Sequence, residues 1–173
     1  MGTIRLVQPS MDYDGEIMAL RAELLAAQDA DDFAGCSGLD DYDTTHAWLA
    51  HLAEMKKGMT PSVPSDSYIA VREGDNRVVG VIDLRHHIDH PILGLWGGHI
   101  GYSVRPSERG RGYGKEMLRL NLENCRRLGL ERVLITCSRE NPASERTILA
   151  NGGIFEREVC VEGEYIKRYW IEL

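Results

Sequence analysis

A run of glycines and basic residues near the middle of the chain has the composition of an anion site: Arg109-Gly110-Arg111-Gly112-Tyr113-Gly114-Lys115. Alternate glycines let the backbone turn tightly and bring several N–H groups to one point. Period-two apolar residues over 99–104 predict a strand before the run, which Pro106 ends because proline has no N–H to donate. A helix is predicted from Lys115, so its positive dipole end would face the same point. Strand, glycine loop and helix start together predict a phosphate site.

The spacing of the glycines excludes two common phosphate loops. A Walker loop needs Gly-Lys followed by Ser or Thr, but Glu116 stands there. A dinucleotide loop needs G-x-G-x-x-G, whereas the glycines here follow G-x-G-x-G. Arg109, Gly112 and Gly114 do form Arg-x-x-Gly-x-Gly. This resembles the acetyl-coenzyme A loop of the GNAT superfamily of N-acetyltransferases, Gln/Arg-x-x-Gly-x-Gly/Ala, whose amides hold the pyrophosphate. A glycine-rich turn with solvated arginines is the alternative.

The order of the predicted elements extends the resemblance over nearly the whole chain. Apolar periodicity predicts strand, helix, helix, three strands, helix, strand, helix and two strands. The predicted strands are 3–8, 68–72, 77–86, 99–104, 132–138, 154–161 and 165–172. Helices are predicted from Asp12, over 44–57, from Lys115 and after Asn141. This order is similar to the GNAT fold. It implies one α+β domain over 1–173, with three layers, about four helices and a mixed, mostly antiparallel sheet of about seven strands, in which 99–138 would form a parallel strand–helix–strand unit.

Composition limits the classes of function. The chain has 173 residues, 43% of them hydrophobic, and a net charge of −7. An acidic protein with one local basic patch favours a small anionic ligand over nucleic acid. Four cysteines without a C-x-x-C pair, no signal peptide and no apolar run of spanning length lead us to expect a cytoplasmic protein with reduced thiols and no membrane partner.

The resemblance implies which residues would contact acetyl-coenzyme A. The end of the strand over 99–104 would contact the pantetheine arm through its backbone, with the Val104 N–H donating to the thioester oxygen. Asn141 and Ser144 match the family's Asn-x-x-Ala/Ser, although Asn141 could equally be a simple helix N-cap. The full expected set is Tyr102, Ser103, Val104, Arg109, Gly110, Arg111, Gly112, Tyr113, Gly114, Lys115, Asn141 and Ser144.

The expected catalytic groups depart from the family's pattern. The family often has a base where Gly98 stands, so we predict His99 next to it as the base or as a relay to water. A hydrogen-bonded structural histidine is the alternative. The family's frequent acid, a tyrosine, corresponds to Leu149. Either the thiolate therefore leaves without help from a side chain, or another group protonates it, with Ser144 and Tyr102 as the candidates.

Other polar residues suggest weaker hypotheses. Asp83 and Arg85 share a strand face and could contact substrate, or form a solvent-facing ion pair. Cys137 could act as a nucleophile, but a lone strand cysteine is usually packing. No metal is expected, because neighbouring strand residues point to opposite faces and a cluster of four titratable side chains could not converge without a bend. That cluster is His86, His87, Asp89 and His90.

The resemblance predicts an N-acetyltransferase that uses acetyl-coenzyme A and transfers acetyl directly to a small-molecule or peptide amine. A non-catalytic acyl-coenzyme A sensor is the alternative, and a homodimer is one expectation for its assembly. The segment 29–43 holds six aspartates and reads as a mobile acidic loop. The resemblance implies that this segment flanks the acceptor side of the cleft. It therefore favours a cationic acceptor, unless the aspartates merely keep a loop solvated.

Overall fold

The computed structural model describes residues 2–29, 33–58 and 62–173. The element order of the described chain matches the prediction, and the α+β architecture is confirmed. The elements are β1 (Ile4–Val7), α1 (Asp14–Ala27), α2 (Thr45–Lys57), β2 (Ser65–Arg72), β3 (Val78–Arg85), β4 (Tyr102–Val104), α3 (Tyr113–Leu128), β5 (Arg132–Ser138), α4 (Pro142–Leu149), β6 (Ile154–Val161) and β7 (Glu164–Glu172). A π-helical turn, Leu93–Gly97, precedes β4.

The strands form two antiparallel sheets where the sequence predicts one mixed sheet. Their orders are β1-β2-β3-β4 and β5-β7-β6, so the predicted parallel ladder between β4 and β5 does not form. The chain before β4 meets β5 at His99, whose backbone N–H donates to the Leu134 oxygen at 2.8 Å. From there β4 follows β3, with Ser103 opposite Val81, and separates from β5. The two sheets therefore open away from His99 and leave a gap.

Two apolar cores lie on opposite faces of the sheets and give the predicted three layers. One face is covered by α3, whose buried residues include Met117, Leu118 and Leu122. On the other face, Leu20 of α1 and Trp48 of α2 pack in the second core. Each helix therefore buries one apolar stripe against a strand surface. No helix within the described ranges is long and apolar enough to cross a bilayer.

The acidic segment between α1 and α2 is packed where it is described, so the expectation of a mobile loop is wrong for 33–43. Cys36 and Leu39 are fully buried, and the Trp48 indole N–H donates to the Cys36 carbonyl oxygen at 3.1 Å. Gly35 has a φ of +70°, and a Cβ there would lie 2.0 Å from the Gly101 oxygen. This contact fixes the segment beside β4. Two of its six aspartates, Asp31 and Asp32, lie outside the described residues.

Candidate active site

The gap between β4 and β5 opens into a cleft of about 1030 Å³. Its walls come from both strand ends, the glycine loop, the first turn of α4 and the turn before β4. Of the residues predicted to contact the cofactor, all but Arg111 line this cleft. Among the other predicted site residues, Arg85 lines it, whereas Asp83 and His99 lie outside the lining.

The edge of β4 turns backbone amides toward the cleft. Alternate residues on either side of β4 make the hydrogen bonds to the chain of β3. The Gly101 oxygen accepts from the Asp83 N–H at 3.0 Å, and the Arg105 N–H donates to the Val79 oxygen at 2.8 Å. In an antiparallel strand the intervening residues point their N–H and C=O groups the other way. The amides of Tyr102 and Val104 therefore face the gap, where an extended ligand could pair with them.

The glycine loop has the backbone that an anion site needs. Gly110 and Gly112 have positive φ angles of 73° and 83°, a conformation that glycine adopts without steric cost. Helix α3 begins at Tyr113, two residues before the predicted start, with Gly112 as its N-cap. The first-turn amides and the dipole of this sixteen-residue helix point at the loop. The loop therefore has the geometry of a phosphate cradle.

The arginines of the loop are exposed, and each also pairs with a carboxylate. Arg109 contacts Asp29 just after α1 and donates from Nε to the Val104 oxygen at 3.2 Å. Arg111 lies 3.2 Å from the carboxylate of Glu108. These pairs fasten the loop to neighbouring elements. Its backbone amides are therefore the groups best placed to hold a phosphate.

Glu108 is a site residue that the sequence analysis missed. It is buried, lines the cleft, and also forms ion pairs with Arg72 at 2.9 Å and Arg77 at 2.8 Å. The buried Arg105 beside it is bound to α1 by Glu23 at 2.7 Å. These charged groups anchor the turn between β4 and α3. The residues lie far apart in sequence, so no spacing pattern could have revealed them.

A second carboxylate of this network, Glu23, holds the turn through hydrogen bonds. Burial would raise the pKa of Glu23, but hydrogen bonds from Ser107 and Arg105 outweigh it and lower the pKa to about 2. Glu23 is therefore ionised at neutral pH and holds both residues of the turn.

Two predicted residues from different elements meet in the cleft. The Tyr102 hydroxyl lies 2.8 Å from Ser144 Oγ in the first turn of α4. The predicted N-cap is confirmed, since Asn141 Oδ1 accepts from the Ser144 N–H at 3.0 Å. Burial raises the pKa of Tyr102 well above its usual value. A phenol in this state stays protonated and can donate to a ligand atom in the cleft.

The surroundings of His99 do not suit a general base. The side chain is 5% exposed, and Nδ1 accepts from the Leu134 N–H at 2.9 Å. Burial, with a smaller contribution from the charge of Arg85, lowers the pKa of His99 to about 4. Because one nitrogen is occupied and the imidazole is hard to protonate, the geometry favours the structural alternative over the predicted base.

Asp83 and Arg85 form an ion pair at 3.0 Å, and the pair is largely buried rather than solvent-facing. Asp83 is 4% exposed and accepts from the Gly101 N–H at 2.6 Å, so it braces the start of β4. Burial raises the pKa of Asp83, although Arg85 opposes the change. Asp83 is therefore a structural group, and only Arg85 reaches the cleft.

The predicted histidine cluster forms no metal site among the described residues, and Cys137 is a packing residue. His86 bonds to Asp66 at 2.8 Å. Within residues 2–29, 33–58 and 62–173, no three His, Cys, Asp or Glu side chains converge so as to hold a metal ion. Cys137 lines the cleft from β5 but is buried in the α3 core. Its position is that of a packing residue.

Comparisons with known proteins find solved structures that share this fold. A search of curated proteins finds no match. The RimL ribosomal L7/L12 α-N-protein acetyltransferase, solved with coenzyme A, shares 18% identity at a TM-score of 0.68, covering 99% of this chain and 94% of that one. A mutant of the spermidine N-acetyltransferase SpeG from Vibrio cholerae shares 14% identity at a TM-score of 0.63, covering 98% of this chain and 94% of that one. The yncA protein of Salmonella typhimurium, assigned as an acetyltransferase and solved with acetyl-coenzyme A, shares 17% identity at a TM-score of 0.64. The match covers 99% of this chain and 93% of that one.

These neighbours establish a shared fold, and a family model establishes the relationship. The model of the acetyltransferase (GNAT) domain matches residues 5–154. That match spans most of the chain, including the glycine loop and the first turn of α4. The chain therefore belongs to the GNAT family of acetyltransferases.

Proposed function

We propose that the protein is an N-acetyltransferase that moves the acetyl group of acetyl-coenzyme A to a primary amine by direct attack in a ternary complex. The observation that carries the proposal is the gap between β4 and β5, where unpaired backbone amides lead into the glycine loop. Membership of the family and the coenzyme-bound neighbours support it.

The chain offers backbone partners for the pyrophosphate, the pantetheine arm and the thioester of the coenzyme. The amides of residues 109–114 and the start of α3 would hold the pyrophosphate. The pantetheine arm would lie along the edge of β4 like an added strand. When bound, acetyl-coenzyme A supplies an activated acetyl thioester, and the Val104 N–H would donate to its carbonyl oxygen. A donor fixed in advance costs no reorganisation during the reaction.

Tyr102 is the group that we propose to protonate the departing sulfur. Its phenol stays protonated at neutral pH and is oriented by Ser144. The new nitrogen–carbon bond forms as the carbon–sulfur bond breaks, and the sulfur takes the phenolic proton, which solvent then replaces. Since His99 is unsuited as a base, the amine would lose its proton to water.

Two measurements test this function. Calorimetric titration with acetyl-coenzyme A measures binding, and a thiol-release assay over a panel of primary amines measures transfer. Binding together with amine-dependent release of coenzyme A is the expected result. Binding without release for any amine would instead support the sensor alternative. The expected homodimer stays a prediction.

A further inference from the structure

The turn before β4 presents large apolar side chains to the cleft. Ile92, Leu93 and Trp96 all line it, and Ile92 and Trp96 are 46% and 37% exposed. Ile166 of β7 also lines the cleft. Apolar side chains grouped on the wall of a binding cleft indicate a ligand with an apolar part.

This turn is held in place by the sheets. Five consecutive carbonyl oxygens of the turn accept hydrogen bonds from side chains of the sheets. Arg168 Nη1 donates to the first of them, the Gly94 oxygen, at 2.7 Å, and also to the second, the Leu95 oxygen. Thr136 Oγ1 donates to the third at 2.5 Å, and Arg85 Nη1 donates to the last two at 2.8 and 3.1 Å. The five carbonyls are those of Gly94, Leu95, Trp96, Gly97 and Gly98. So many fixed carbonyls make the apolar wall preorganised, which lowers the cost of binding.

Arg85 places a cation beside this wall with donors to spare. Its Nη2 pairs with the buried Asp83 at 3.0 Å, and its Nη1 is used by the turn. In the part of the chain that the structure describes, Nε–H and one Nη2–H of Arg85 have no hydrogen-bond partner. A guanidinium with such donors suits a carboxylate or a carbonyl oxygen.

The charges of the cleft do not suit a polycation. Of the four aspartates of the acidic segment that the structure describes, only Asp29 lines the cleft. The other three do not: Asp40, Asp41 and Asp43. Of the carboxylates that line it in the described ranges, Asp29 and Glu108 are paired with arginines. Glu140 also lines it, next to Asn141 at the start of α4. Among the residues that the structure describes, the acceptor therefore meets an apolar wall and a cation rather than an acidic surface.

We propose, resting on the proposed function, that the acceptor is an α-amine whose carbon carries an apolar side chain and a carboxylate or carbonyl group. An apolar amino acid and a peptide that begins with one share this chemistry. The side chain lies against Ile92 and Trp96, and the oxygen accepts from Arg85. The amine nitrogen then points to the gap where Val104 holds the thioester.

Matched acceptors separate the two contacts. The kcat/KM is measured with leucine, leucinamide, Leu-Gly-Gly, alanine, 3-methylbutylamine and spermidine. Alanine lacks most of the apolar side chain, and 3-methylbutylamine lacks the oxygen. The best of the three leucine compounds should exceed alanine, 3-methylbutylamine and spermidine by roughly tenfold or more. Leucine against leucinamide and Leu-Gly-Gly tells whether a carboxylate or a peptide carbonyl is preferred.

Variants assign the preference to named side chains. Trp96→Ala should lower the ratio of kcat/KM for leucine to kcat/KM for alanine by roughly tenfold. Arg85→Gln should lower the ratio of kcat/KM for leucine to kcat/KM for 3-methylbutylamine by roughly tenfold. Where leucinamide or Leu-Gly-Gly is the better acceptor, it replaces leucine in both ratios. Leu95→Ala is the matched control, because Leu95 lies on the same turn, is 43% exposed and does not line the cleft. A purely structural effect would lower all acceptors alike and leave the ratios unchanged.

The outcomes distinguish the inference from the function on which it rests. Preference for spermidine or 3-methylbutylamine, or ratios that the two variants do not change, overturns the inference while acetyl transfer stands. Absence of transfer to every amine, with acetyl-coenzyme A bound, overturns both.

Discussion

Acidification should weaken the fold through His99. The pKa of this side chain is lowered from 6.5 to about 4 in the folded protein, mainly because burial disfavours the imidazolium. Between these two values the unfolded chain binds a proton that the folded chain does not. The stability that neutral His99 provides is therefore complete above about pH 6.5 and is lost as the pH falls towards 4.

The size of this effect follows from the difference between the two pKa values. A change from 6.5 to about 4 corresponds to about 3 kcal/mol when the whole window is crossed. At pH 5 the chain has crossed about 1.5 pH units of the window, so the loss is about 2 kcal/mol. The side chains that contribute electrostatically to the pKa of His99 are Arg85, His87 and Asp89.

Urea unfolding of the wild type and of His99→Asn measures the effect. Both proteins are compared at pH 7.5 and pH 5, and the pH-dependent loss of the variant is subtracted from that of the wild type. Asparagine does not titrate in this range, and its amide oxygen can accept from the Leu134 N–H that now bonds to His99. The subtraction removes the contributions of the other carboxylates and histidines, which both proteins share.

We expect the wild type to lose about 2 kcal/mol more than the variant between these pH values. Equal losses would show that His99 titrates normally, and would refute the structural assignment. A kinetic measurement adds a second criterion. If the pH–rate profile loses an inflection near 6.5 in His99→Asn and the rate falls about a hundredfold, the side chain is the base after all.

Three further predictions concern the cleft. Gly112→Ala should weaken acetyl-coenzyme A binding by about tenfold or more, whereas Gly129→Ala, which strains the other end of α3 at a φ of +87°, should leave the dissociation constant unchanged in calorimetry. Tyr102→Phe should lower kcat by about a hundredfold with little change in coenzyme affinity, and an unaltered kcat would show that the sulfur leaves without it. A triple Asp→Asn variant should keep the wild-type KM for cationic amines and its salt dependence, and a clear rise in KM would restore the acidic segment as a selector. The three replaced residues are Asp40, Asp41 and Asp43.

Much of the architecture and of the cofactor end of the cleft was predictable because it depends on local chemistry. Glycines at 110 and 112 take positive φ angles that other residues disfavour, and a helix starts directly behind them. Asn141 followed by Pro142 starts α4, with a cap bond three residues long. Apolar periodicity reports which face of each strand or helix is buried, so the element order followed from the sequence.

The acceptor end of the cleft was decided by tertiary contacts between distant residues. His99 owes its low pKa mainly to burial in the folded chain. Its tautomer is fixed by a backbone N–H 35 positions away at Leu134. Asp83 is buried and accepts from the Gly101 N–H just before β4, and the acidic segment is packed where Gly35 meets the same Gly101. Such groups look like ordinary polar residues in the sequence, since burial and charge partners set their chemistry and neither has a local period. The sequence by itself therefore determined the elements and the phosphate loop, while the separation of β4 from β5 decided which side chains reach the reaction.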